Sequence, residues 1–184
     1  MGDITALIAR ASGGDRAAVD AIFEKLYPEL RRIAHARLTR HVRDTVLDTT
    51  VLVHECYLKF VQAERLSPTD RAHFLAYSAS AMRSIIVDFA RARTAERRGG
   101  DAAHLTLNTQ LADSLPAGEE EILRVDEALA DIANLEPRLA QVVEMRYFGG
   151  LNDLEIAAAL GVTDRTVRRD WDKARLLLAA ALRP

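Results

Sequence analysis

Apolar residues recur at three- and four-residue spacing along most of the chain. Val19, Ile22, Phe23, Leu26, Leu30, Ile33 and Ala34 form the first such run, the periodicity of an amphipathic helix. Pro28 falls inside it and predicts a kink or short break around Tyr27, because proline lacks a backbone donor and crowds the preceding turn. A further helix is expected over 48–61, after the polar stretch 41–44, and Ser67-Pro68-Thr69-Asp70 marks a loop over 63–70. The next helix starts near Ala72 and places Phe74, Tyr77, Ala81, Ile85 and Phe89 on one face. Arg91, Arg93, Arg97 and Arg98 crowd its far end before Gly99-Gly100, where cations suit the helix dipole. Residues 1–98 therefore read as a module of four helical segments.

Residues 99–118 show no sustained period and read as a linker. Glu119-Glu120-Glu121 then open a helix with Ile122, Val125, Leu129 and Ile132 as its stripe; the helix dipole alone accounts for acids at that end. Pro137 suits the first position of the following helix, which carries Leu139, Val142, Val143 and Met145 up to Gly149-Gly150. Asn152 and Glu155 have the spacing of a capping box, ahead of a short helix with Ile156, Ala157 and Leu160. Gly161 makes the turn, and Thr163 caps a longer helix running to about Leu182. Helix, glycine turn, longer helix is the helix-turn-helix layout. Val167, Trp171, Ala174, Leu178 and Ala181 form the inward face of the longer helix, with Trp171 expected as a core anchor. Arg165, Arg168, Arg169 and Lys173 lie off that face. In this motif the first turns enter the major groove, where arginine can grip the guanine edge with two hydrogen bonds.

Composition narrows the class. The chain has 184 residues, 49% hydrophobic and 28% charged, enough apolar content for a core and too much for wholesale disorder. No stretch is long and apolar enough for a membrane span, and no basic segment precedes an apolar block at the start; a cytoplasmic protein is expected. The single Cys56 excludes an internal disulfide and a cysteine-based zinc site. His54-Glu55 opens like a zinc-protease motif, but Leu58 stands where the second histidine belongs. The five histidines share no ligand spacing and no glycine-rich phosphate loop is present, so no enzyme, metal or cofactor is expected. The net charge of −2 conceals a sharp asymmetry. Residues 1–98 balance at +4, residues 99–134 at −7 and residues 135–184 at +1. Arginine outnumbers lysine 22 to 3, a bias that suits planar contacts with phosphates and base edges. The expected fold class is all-α: two small helical domains, 1–98 and 119–184, joined by an acidic linker over 99–118.

These features together resemble a known family. Glu136-Pro137-Arg138, Arg146-Tyr147-Phe148-Gly149-Gly150, Glu155-Ile156-Ala157, Leu160-Gly161-Val162 and Thr166-Val167-Arg168 look like region 4 of a bacterial sigma factor. Upstream, 15–38 resembles the opening helix of region 2, 55–60 its polymerase-binding helix, and 74–91 its promoter-melting helix. Two modules, a linker and no other region are similar to the extracytoplasmic-function (ECF) class of the sigma-70 family. The resemblance implies a sigma factor that binds core RNA polymerase, through the β′ clamp helices and the β flap, and starts transcription at specific promoter DNA. It assigns −35 recognition to Thr163, Asp164, Arg165, Thr166, Arg168, Arg169 and Lys173 on a recognition helix over 163–175. It assigns −10 melting to Arg83, Ser84, Asp88, Arg91, Arg93, Arg97 and Arg98, with an unstacked base captured by the loop 63–70. Polymerase binding falls to Asp48, Thr49, Thr50, Val51, Leu52 and Glu55.

The chain departs from the family pattern where that helix usually opens with an acidic Asp-Ala-Glu-Asp run. Here the aligned residues are Asp48-Thr49-Thr50-Val51, which removes two of three carboxylates. Capping and packing account for the threonines on one reading. On the other, phosphorylation of Thr50, or of Thr49, by a Ser/Thr protein kinase restores the charge; an anti-sigma protein is the other controller the resemblance suggests. Ser84 stands where the family's melting helix usually carries asparagine. The alternative reading is a stand-alone helix-turn-helix regulator, which would bind duplex DNA by itself and dimerise on a palindrome.

Overall fold

Helical periodicity becomes eight helices, with no strand among the described residues 2–41, 49–62, 68–97 and 118–183, in a computed structural model of the chain. In order they are α1 (Gly2–Ser12), α2 (Arg16–His41), α3 (Thr49–Gln62), α4 (Arg71–Arg97), α5 (Gly118–Leu135), α6 (Pro137–Tyr147), α7 (Asp153–Leu160) and α8 (Asp164–Ala181). The expected linker, apart from Gly118, lies outside the described residues, as do Asp48, Arg98 and positions 63–67 of the expected loop.

The first four helices are apportioned differently from the expectation. Pro28 does not break its helix: α2 runs from Arg16 to His41 with the proline inside. A mid-helix proline costs about 3 kcal/mol, and here buried Ile22, Phe23 and Leu26 on one side and Leu30 and Ile33 on the other hold the helix through it. The fourth segment is instead α1, which buries Leu7, Ile8 and Ala11. Asp15 links the two, accepting the backbone N–H of Ala18 at 3.2 Å and a guanidinium hydrogen bond from Arg10 at 2.7 Å. Those bonds, Arg10 foremost, hold its carboxyl below the usual carboxylate range.

An aromatic cluster joins α2, α3 and α4. Phe23 meets Phe60 edge-on at 5.1 Å and Phe74 at 5.8 Å, and Phe60 lies 4.8 Å from Phe74. Tyr77, expected on the buried face, sits at its rim, 36% exposed, with its ring edge-on to Phe60. The larger departure concerns α4 as a whole. Besides Phe74, Ala81 and Ile85, it buries Leu75, Ala79, Met82, Ile86, Val87 and Ala90. A helix apolar around most of its circumference is an internal helix, and α4 packs on α3 along one side and on α5, α6 and α7 along another.

A close approach on that second side is at Gly149, after α6. A Cβ there would stand 2.7 Å from the Ala79 Cβ of α4 and 2.6 Å from the Met145 carbonyl oxygen. Near the start of α5, Glu119 corrects the expectation that its acids serve only the helix dipole: it is buried and paired with Arg93 of α4 at 2.9 Å. Within α5–α8 the core comprises Leu129, Ile132, Leu139, Val142, Val143, Ile156, Val167 and Ala174.

Candidate functional site

Three surfaces carry the residues singled out by the sequence. The first is the start of α3. Thr49, Thr50, Val51 and Glu55 are half-buried there, whereas Leu52 is fully buried. Its side chain sits in the core, so Leu52 supports the helix and offers no surface contact. The Thr49 hydroxyl lies 3.5 Å from His35 Nδ1, and Pro28, Arg31, Arg32 and His35 line a cavity with it. No local spacing in the sequence marks Arg31, Arg32 and His35 of α2 as part of this surface. Farther along the same pair of helices, Phe23, Glu24, Tyr27, Val53, His54 and Tyr57 line a mostly apolar groove.

The second surface is α4. Asp70 caps it, accepting the His73 backbone N–H at 2.9 Å. Burial works against ionising Asp70, but the bonds from His73 prevail and hold its carboxyl below the usual range. Arg71 reaches in two directions, to Glu29 of α2 at 2.6 Å and to Glu155 of α7 at 3.3 Å. Ser84 accepts from Lys59 of α3 at 2.8 Å, and Lys59 also lies 3.6 Å from Asp88. Arg83, Arg91 and Arg93 point the other way, toward α5 and α6. Arg83 donates twice to Asp126 Oδ1, at 2.7 and 3.0 Å, and Arg91 donates to Asp126 Oδ2 at 3.0 Å. A cleft lined by Ser80, Arg83, Ser84, Asp88, Arg91, Asp126 and Glu144 runs along this seam. Arg97 closes α4.

The third surface is α7, the turn and α8. Asn152 accepts the backbone N–H groups of Leu154 and Glu155, each at 3.0 Å, and Glu155 accepts that of Asn152 at 3.0 Å. This is the expected capping box. Gly161 ends α7 at φ 65°, a left-handed conformation with open space around the absent Cβ. Thr163 then caps α8, accepting from the Thr166 backbone at 3.2 Å. Asp170, buried, accepts from Arg138 of α6 at 2.6 Å and fixes the angle of α8 on α6. Trp171 is half-buried rather than enclosed: the Arg146 guanidinium stacks 4.7 Å from its ring centre, a cation–π contact.

Of the outward residues, Arg165 and Arg169 are exposed. Arg168 pairs with Asp164 in the same helix and Lys173 with Glu136 at the head of α6. The four basic residues thus share one exposed ridge, on which Arg169 also lies 3.4 Å from Asp170. Among the described residues, no cluster of three His, Cys, Asp or Glu side chains can hold a metal ion, and no helix is long and apolar enough to cross a membrane.

Comparison with curated proteins finds no match. A family model described as ECF sigma factor matches residues 1–184, in agreement with the all-helical architecture and its helix-turn-helix. The chain belongs to the ECF sigma factors, which bind RNA polymerase and direct promoter-specific initiation of transcription.

Proposed function

We propose that residues 1–98 dock on the β′ clamp helices and open the −10 element, and that residues 119–184 bind the β flap and read the −35 element, with 99–118 as the acidic connector. The observation that carries this reading is the family match over residues 1–184, on a chain whose α7–α8 pair has both helices capped and a ridge of basic side chains outward. The first turns of α8, with Thr163, Asp164, Arg165, Thr166, Arg168 and Arg169, enter the major groove, and Lys173 steadies the helix on the backbone. The −10 role falls to Arg83, Ser84, Asp88, Arg91, Arg93, Arg97 and Arg98, which contact the separated strand, a role suited to a basic groove. Asp48, Thr49, Thr50, Val51 and Glu55 meet polymerase. The protein works in the cytoplasm as an initiation factor, without catalysis or cofactor.

Polymerase docking is weak until a Ser/Thr protein kinase modifies Thr50. A phosphate adds about −1.5 to −2 charge where the family's acidic run is thinned to Asp48. Thr50 ranks ahead of Thr49 because Thr49 faces His35 in a cavity that Arg31 and Arg32 also line. A phosphate at Thr49 would be neutralised by its own chain first. An anti-sigma protein is the competing controller.

The test is co-purification with core RNA polymerase, followed by promoter-dependent transcription, for wild type, Thr50→Glu and Thr50→Ala. Binding that rises in the Glu variant and is absent in the Ala variant after kinase treatment supports the switch. Equal affinities for all three forms remove it. Failure of every form to bind polymerase, together with tight binding of duplex DNA by the chain alone, would favour a stand-alone regulator.

A further inference from the structure

A strand-binding surface on α4 needs its arginines available to phosphates, and here carboxylates from α5 and α6 already hold three of them. Arg83, with only 18% of its side chain exposed, makes a two-pronged contact with Asp126 and lies 3.9 Å from Glu144. The other oxygen of Asp126 accepts from Arg91. Arg93 and Glu119 pair with 12% and 6% of their side chains exposed. Farther along, Arg71 reaches Glu155 of α7, and Gly149 brings backbone against Ala79. Carboxylates from three helices thus converge on one basic helix: Asp126 accepts charge-assisted hydrogen bonds from Arg83 and Arg91, and Glu119 and Glu144 act as nearby counter-charges.

This arrangement cannot persist on a promoter. Elements named −35 and −10 are centred about 25 base pairs apart, about 85 Å at 3.4 Å per pair. A globule of this chain length has a radius of gyration of only about 16 Å. With α5, α6 and α7 packed on α4, the two DNA-reading surfaces cannot reach both elements. The connecting segment, 98–117, can extend to about 70 Å, so covalent linkage does not forbid separation.

We propose that the free chain is held closed by an intramolecular mimic of DNA, in which Asp126, Glu119 and Glu144 occupy the α4 arginines in place of strand phosphates. The inference rests on the two-surface reading above. Polymerase and promoter open the chain by exchanging one set of anionic partners for the other, which shifts the population toward a separated form. The Arg93–Glu119 pair is the enclosed part of the latch. The Asp126 bridge is the part most open to competition by phosphate and salt.

The experiment uses the full chain with dyes on cysteines introduced at exposed positions, Ala17→Cys in α2 and Leu176→Cys in α8, with energy transfer reporting closure. Buried Cys56 stays unlabelled. Asp126→Asn combined with Glu119→Gln removes two latch carboxylates at nearly constant shape; Asp126→Asn alone serves if the pair unfolds the chain. The expected result is lower transfer in the variant than in wild type. Binding of a fluorescent single-stranded oligonucleotide should also tighten, with a salt slope steeper by about 2 as three arginines are released. Equal transfer and equal oligonucleotide binding in wild type and variant would overturn the latch. Two further outcomes separate the latch from the function it rests on. Opening and strand uptake without any transcription on core polymerase keep the latch and defeat the sigma assignment. Wild type that transcribes with the same transfer free and polymerase-bound keeps the assignment and defeats the latch.

Discussion

Replacing Gly149 by alanine tests the packing between α4 and the turn after α6 with one methyl group. Gly149 is buried and does not have positive φ, so conformational freedom is not what the position requires. Space is. A Cβ would stand 2.6 Å from the Met145 carbonyl oxygen, 2.7 Å from the Ala79 Cβ and 2.7 Å from Leu151 Cδ1. Leu151 can rotate away, but the carbonyl belongs to helical backbone and Ala79 lies fully buried in the middle of α4. Overpacking of this kind costs about 1–3 kcal/mol; two unyielding neighbours put Gly149→Ala near about 3 kcal/mol. For a chain of this size that lowers Tm by roughly 6–12 °C, read by circular dichroism and repeated in urea to verify an unchanged m-value. Ala79→Gly, itself costing up to about 1 kcal/mol in a helix interior, removes one of the three clashes. The double variant should therefore be more stable than the sum of the singles by at least about 0.5 kcal/mol. An alanine variant within about 0.5 kcal/mol of wild type, or strict additivity in the double, would refute the close approach of the turn to α4.

Two other predictions concern single residues. At Gly161 the same substitution acts for the opposite reason, since space is open but φ is 65°. Gly161→Ala should cost about 1–2 kcal/mol and Gly161→Asn less, in the same unfolding assay, and equal losses would mean that the turn is not left-handed. Burial pushes the Cys56 thiol up to about 12, so it should not react with a thiol reagent in the native protein at pH 8 and should react fully in denaturant. Because its folded value exceeds the unfolded one, its contribution is complete below about pH 8.5 and is lost as pH rises toward 12. A native-state thiol that reacts at the free-cysteine rate would contradict its burial.

What the sequence reveals about this chain follows the range of the forces involved. The caps at Asn152, Gly161 and Thr163 are legible because each is decided within four residues by rules of backbone satisfaction. The whole helix-turn-helix could be placed from them. Pro28 misleads because its local penalty is real, and only the burial of α2 on both sides of it, a tertiary fact, outweighs it. The second buried face of α4 is hidden for a related reason: a helix apolar on most sides has no single stripe, and Phe74 and Tyr77 mark only the side toward α3. Surface roles are less legible still. Leu52 is buried among half-buried neighbours because one residue along a helix turns a side chain by about 100°. The meeting of Thr49 with His35 depends on how α2 and α3 pair, which no local spacing encodes.

Charge is where the two levels differ most instructively. Read along the chain, the arginines of α4 suit a helix C-terminus, and Glu119, Glu120 and Glu121 suit a helix N-terminus. Each cluster then needs no partner. In the fold, Glu119 leaves the solvent to meet Arg93, and Asp126 sits between Arg83 and Arg91, residues 43 and 35 positions away. A helix dipole favours an acid at the first turn by about 0.3–1 kcal/mol, too little to draw a carboxylate out of water. Burying Glu119 requires a nearby cation, which Arg93 supplies, and removing either member of such a pair is far costlier than keeping both. Part of the acidic excess over 99–134 and part of the basic excess over 1–98 thus meet in one contact, Glu119 and Asp126 against Arg83, Arg91 and Arg93. On the proposal that α4 meets the promoter strand, α5 covers the arginines that the strand would need. On that proposal the chain carries an internal competitor for DNA, and what releases the competitor decides when the protein acts.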